Sequence, residues 1–84
     1  TVNFNYWTAP YESNQILYMT TDGFCDQFGG ERGKKFGKRN LIGLFQNIKN
    51  HSMLEQCNII KNTFETWKGN EKQVDDVTMI GLRL

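Results

Sequence analysis

The chain has 84 residues, enough for one domain and no more. Hydrophobic residues make up 38% and aromatics 13%, too apolar for a disordered tail, and a formal charge of +1 does not describe an electrostatic nucleic-acid binder. One His and two Cys cannot supply a four-ligand Cys/His zinc site or a Cys-rich disulfide scaffold, so the chemistry left open is mostly that of carboxylates.

Val2 to Trp7 alternates Val2, Phe4 and Tyr6 against Asn3, Asn5 and Trp7, the period of a half-buried strand. Thr8-Ala9-Pro10 is expected to end it, because Pro cannot donate to a ladder. Gln15 to Thr21 is rich in β-formers and predicts a second strand. Asp22-Gly23 breaks it, Phe24 to Gln27 predicts a short helix or turn, and Gly29 to Gly37 reads as a loop rich in Gly and basic residues. Leu41, Leu44, Phe45 and Ile48 build one apolar helix face over Arg39 to Ile48.

Asn50-His51-Ser52 interrupts that helix, and His51 is expected to be exposed. Ser52 and Glu55 then match a capping box, which starts a second helix. Its stripe is Met53, Cys57, Ile60, Phe64 and Trp67. On this pattern Cys57 is expected in the core, and Trp67 is expected to anchor the helix to the sheet. Gly69 suits a left-handed C-terminal cap, and Val77 to Leu84 predicts a final strand. The order predicts an α+β fold, with antiparallel strands covered on one face by two helices. The other face of the second strand needs a cover that is not evident in the chain.

Two acidic sites stand out. Asp22 lies where a strand ends and a Gly follows, and Asp75-Asp76 directly precedes the last strand. Strand ends are rigid platforms for short carboxylates, and Gly admits close approach. If the two strands are neighbours, both sites emerge at one edge. Carboxylates without His or Cys suit hard cations such as Mg²⁺ or Mn²⁺. The plainer alternative is a pair of solvated turns, since Asp-Gly is a common turn dipeptide.

Ile16-Leu17-Tyr18-Met19-Thr20-Thr21-Asp22-Gly23 resembles the strand-TDG segment of metal-dependent serine/threonine phosphatases of the protein phosphatase 2C fold. The resemblance is to their bacterial SpoIIE-like branch. Phe36-Gly37 before a helix, and Gln73-Val74-Asp75-Asp76-Val77-Thr78 before the last strand, are similar to that branch's continuation and closing segment. The resemblance covers nearly the whole chain. It implies that residues 1–84 form the C-terminal portion of an α-β-β-α sandwich. It implies that Asp22 and Asp75 are direct ligands of one of two catalytic Mn²⁺ or Mg²⁺ ions. Asp76 is then an outer neighbour of that metal, and Asp26 is the position at which some members hold a third, weaker one.

The resemblance further implies metal-assisted hydrolysis of a phosphomonoester by water, with no covalent phospho-enzyme. The substrate class it suggests is a regulatory phosphoprotein, such as a phosphorylated anti-sigma-factor antagonist. The only Asp residues are Asp22, Asp26, Asp75 and Asp76, so the family's earlier bridging Asp-Gly motif is not in this chain. The chain is therefore expected to be inactive alone and to depend on an N-terminal remainder of the domain, with a sensor region as a further expected partner.

Arg32, Lys34, Lys35, Lys38 and Arg39 form a basic run around Phe36. Arg32, Lys34 and Lys35 are candidates for docking an anionic substrate beside the site, against the alternative of a solvated loop. Nucleic acid is not an expected partner. The alternative function is a small non-catalytic α+β interaction module that uses the 32–39 patch. No secretory leader and no apolar run of about 20 residues is visible, so no membrane segment is expected here. The expected location is cytoplasmic, either free or as the cytoplasmic part of a larger sensor protein.

Overall fold

The computed structural model describes residues 4–11, 14–73 and 75–84. Its elements are β1 (Asn5–Tyr11), β2 (Asn14–Thr20), α1 (Gly23–Asp26), β3 (Phe28–Gly29), β4 (Lys34–Lys35), α2 (Gly37–Ile48), α3 (Met53–Lys68) and β5 (Met79–Arg83). Strands β1, β2 and β5 form an antiparallel sheet in the order β1-β2-β5, and β3 and β4 form a separate hairpin. The fold is α+β, as the element order predicts.

The first strand runs further than its alternation suggests, and Thr1 to Asn3 lie outside the described residues. Pro10 does not end β1 but lies within it, opposite Gln15. Among the described residues β1 is an outer strand, and an outer strand tolerates a residue that lacks an N–H. The expected loop after Phe28 also holds structure. Phe28 pairs with Lys35 and Gly29 with Lys34, which turns the basic run into a hairpin.

Period-two alternation sorts β2 into two faces. Ile16, Tyr18 and Thr20 are buried, at 0%, 1% and 1% exposure. Tyr18 sits at the centre of this face. Its ring stacks on Phe45 of α2, with centroids 3.9 Å apart and planes within 3°. Its hydroxyl donates to Gln56 Oε1 of α3 at 2.6 Å. Burial pushes the Tyr18 phenol up from its ordinary pKa, with Arg83 opposing. One side chain thus ties both helices to the sheet.

Gln56 in turn donates from Nε2 to the carbonyl of His51 at 3.0 Å. Its burial corrects the expected stripe. Cys57 is exposed and not in the core, while Gln56, one position earlier, is buried. A purely apolar pattern skips Gln, yet the buried hydroxyl of Tyr18 requires an acceptor. Met53, Cys57, Ile60 and Phe64 line a groove that α3 forms with Val77, Met79 and Gly81.

Ser52 caps α3 as predicted: its hydroxyl accepts from the Glu55 N–H at 3.1 Å. The Glu55 carboxylate faces the His51 ring at 3.0 Å and accepts from the Ser52 hydroxyl at 3.2 Å. These two contacts, His51 first, hold Glu55 below the usual carboxylate range.

The opposite face of the sheet is apolar. Tyr6, Met19 and Ile80 form one cross-strand row, and Leu17 and Leu82 another. Tyr6 is 64% exposed, Ile80 41% and Leu82 46%. This is the face for which the sequence shows no cover.

Candidate functional site

The site stands at the end of β2. Asp22 follows the strand after Thr21 and occupies the N-cap position of α1, but its side chain makes no capping hydrogen bond. Instead Oδ1 accepts from Asn5 Nδ2 of β1 at 2.5 Å. Asn5 lies opposite Thr20 in the β1–β2 register. In the sequence Asn5 stands only as the polar half of a strand alternation. Its relation to Asp22 depends on pairing across the hairpin.

The Asp75-Asp76 segment reaches the same edge because β5 pairs with β2. Thr21 binds the two segments together. Its N–H donates to Thr78 O at 3.0 Å. Its hydroxyl accepts from the Thr78 N–H at 3.1 Å and lies 3.4 Å from Asp76 O, to which it donates. Gly23 closes the joint. A Cβ at Gly23 would stand 2.2 Å from the Asp76 carbonyl oxygen, so only glycine lets the segments approach this closely. Asp75 Oδ1 accepts from the Asp76 N–H at 2.8 Å, and Gln73 Nε2 donates to Asp75 O at 3.0 Å. The Asp22, Asp75 and Asp76 residues are all exposed.

Asp26 stands one turn beyond Asp22 on α1. Its Oδ1 lies 3.7 Å from Lys35 Nζ, and that ammonium also sits 5.9 Å from the centre of the Phe28 ring. Lys35 is thus turned toward Asp26, while Arg32 and Lys34 are exposed on the same hairpin. Cys25 is buried in α1. Burial first, then the charges of Asp26 and Asp22, push its thiol up, against Lys38. A protonated buried thiol is a packing group.

The hairpin is pinned from below. Trp67 Nε1 donates to Gln27 O at 2.9 Å, and the Gly30 N–H donates to Trp67 O at 2.9 Å. A Cβ at Gly29 would lie 1.8 Å from Trp67 O. Phe36 packs edge-on against Trp67, with centroids 5.4 Å apart. Trp67 therefore anchors α3 to the hairpin, where a sheet contact is expected from its place on the stripe. Gln27 is buried as well, and its Nε2 donates to Lys72 O at 3.0 Å. Nothing in the sequence around Gln27, a single polar residue, signals that it is enclosed.

The donors at this edge fit a hard divalent cation in kind. They are carboxylate oxygens on a rigid joint, with a glycine that gives close access. They do not complete a site. Among the described residues no three His, Cys, Asp or Glu side chains converge on one point to hold an ion.

The family model of stage II sporulation protein E (SpoIIE) matches residues 3–84. The chain belongs to the SpoIIE family. The SpoIIE match takes in β2 and the Asp22 turn after it, all three helices and the Asp75-Asp76 segment. Among solved structures, the SiaA-PP2C domain of Pseudomonas aeruginosa resembles this SpoIIE chain with a TM-score of 0.81 and 33% sequence identity. The match spans 83% of this chain but only 28% of that one. No curated protein matches the chain. Together, the SpoIIE membership and the close structural likeness identify the fold as part of a protein phosphatase 2C-like domain. Among the described residues, no helix of this SpoIIE chain is long and apolar enough to cross a membrane.

Proposed function

We propose that residues 1–84 are the C-terminal part of a metal-dependent serine/threonine phosphatase domain, which hydrolyses a phosphomonoester on a regulatory phosphoprotein. The observation that carries this reading is the joint of Thr21 and Gly23, which brings Asp22 and Asp75-Asp76 to one edge. Asp22 and Asp75 are the direct ligands for Mn²⁺ or Mg²⁺, and Asp76 is their outer neighbour. Divalent cations bound there supply water activation at accessible pH and neutralise charge on the phosphoryl oxygens.

The chain's own groups do the positioning. The Asp76 N–H engages one oxygen of Asp75, which orients the other for a ligand. Asp26 is the candidate for a weaker third ion, in competition with the Lys35 ammonium. Exposed Arg32 and Lys34, with Lys35 beside them, form a cationic hairpin suited to draw a phosphorylated segment toward the edge. A phosphorylated anti-sigma-factor antagonist is the substrate type we favour.

The remaining ligands come from an N-terminal remainder of the domain. The exposure of Tyr6, Ile80 and Leu82 on the open face of the sheet supports a packing partner there. The parent protein acts in the cytoplasm, under a sensor region.

The test is Mn²⁺-dependent hydrolysis of a phosphoserine peptide by the complete domain. Asp22→Ala and Asp75→Ala are each expected to lower turnover by at least about 100-fold. Full activity in both variants would refute the ligand assignment. The 84-residue chain alone is expected to be inactive. Metal-dependent turnover by it, lost in Asp22→Ala, would refute the partial-site reading.

A further inference from the structure

Asp22 departs from the usual behaviour of an aspartate before a helix. An N-cap aspartate ordinarily accepts from backbone N–H groups of the first turn. Asp22 has none of those bonds. Among the described residues its carboxylate has one hydrogen-bond partner, the Nδ2 of Asn5 at 2.5 Å. The carboxylate is therefore oriented from the neighbouring strand and not from its own helix.

We propose that Asn5 is the positioning residue of the metal edge, holding Oδ1 of Asp22 so that Oδ2 is presented to the cation. This rests on the reading of Asp22 as a metal ligand. The chemistry suits the task. An aspartate side chain rotates broadly about its last torsion, and a bond to one oxygen removes that freedom. An amide donor is neutral, so it orients the carboxylate without cancelling the charge that attracts a cation. A Lys or Arg in its place would do both. Asn5 is half-buried and lies on a paired strand, opposite the residue two before Asp22. The donor is thus placed by backbone pairing and not by a mobile side chain on a loop.

Asn5→Val in the complete phosphatase domain separates positioning from strand architecture. Valine favours a strand more than asparagine does. A purely structural Asn5 would therefore leave metal binding unchanged. Positioning predicts that the urea midpoint is retained while Mn²⁺ affinity, measured by titration calorimetry, falls by about 10-fold. Asn5→Ser, whose side chain is one bond shorter, is expected to give the same loss and covers the case in which valine disturbs folding.

Asp22→Asn is measured in parallel. If Asp22→Asn weakens Mn²⁺ binding and both Asn5 variants bind within about twofold of the unsubstituted domain, the positioning role is overturned and the metal reading stands. If Asp22→Asn leaves Mn²⁺ affinity unchanged, both fall.

Discussion

The hydroxyl of Thr21 accepts a hydrogen bond from the backbone N–H of Thr78 at 3.1 Å. This contact joins residues from opposite ends of the chain and fixes how the Asp22 turn meets the Asp75-Asp76 segment. The same hydroxyl donates to Asp76 O. Thr21→Val keeps the side-chain shape and deletes both bonds. The edge is solvent-exposed, so water replaces part of what is lost. The expected destabilisation is about 0.5–1.5 kcal/mol by urea denaturation of the complete domain. Thr21→Ser retains the hydroxyl and is expected to stay closer to the original. Equal stability and equal Mn²⁺ affinity in the valine variant would show that the clasp does not organise the edge.

Gly23→Ala tests the closeness of the joint. The added methyl meets a backbone carbonyl at 2.2 Å, and backbone cannot rotate aside as a side chain can. Either Asp22 or Asp76 must shift, at about 1–3 kcal/mol, with weakened metal binding. Gly43 is the control. It lies in α2, and a methyl added there would meet nothing within 4 Å. Gly43→Ala is therefore expected to stabilise by up to about 1 kcal/mol through helix propensity. Gly23→Ala proteins with unchanged stability and Mn²⁺ affinity would contradict the geometry of the edge.

Tyr18→Phe removes the donor to Gln56 Oε1 in the core. It keeps the ring that stacks on Phe45. A buried acceptor left unpaired costs about 1–3 kcal/mol, which a thermal or urea titration reads directly. The pH dependence has a definite sign. Burial raises the Tyr18 pKa, so the folded protein keeps a phenolic proton that the unfolded chain releases near pH 10, roughly the ordinary tyrosine value. The contribution of this group is complete below that pH. It is lost as pH rises through the raised folded value. Tyr18→Phe should flatten this alkaline decline, and an unaltered decline would assign it to other groups.

Local chemistry is readable in one dimension. The capping box at Ser52, the apolar face of Leu41, Phe45 and Ile48, and the alternation of β2 each concern residues within a turn or a strand of one another. The pairing of Asp22 with Asp75-Asp76 is readable only because both lie at ends of strands that a familiar motif order makes neighbours. Pro10 misleads because its tolerance depends on which strand lies outermost. Cys57 misleads because apolarity alone does not show which flank of a stripe meets the sheet. Gln56 escapes notice because its burial is set by a hydroxyl 38 positions away.

The amino-acid sequence alone therefore determined the main strands and helices, the carboxylate character of the acidic edge and the family membership that its motifs express. Those follow from residue type and short-range periodicity, which need no knowledge of neighbours across the fold. The clasp at Thr21, the close approach at Gly23 and the hold of Asn5 on Asp22 came from folding. Each is a contact between segments far apart in the chain, and it forms only once strand pairing has brought those segments side by side.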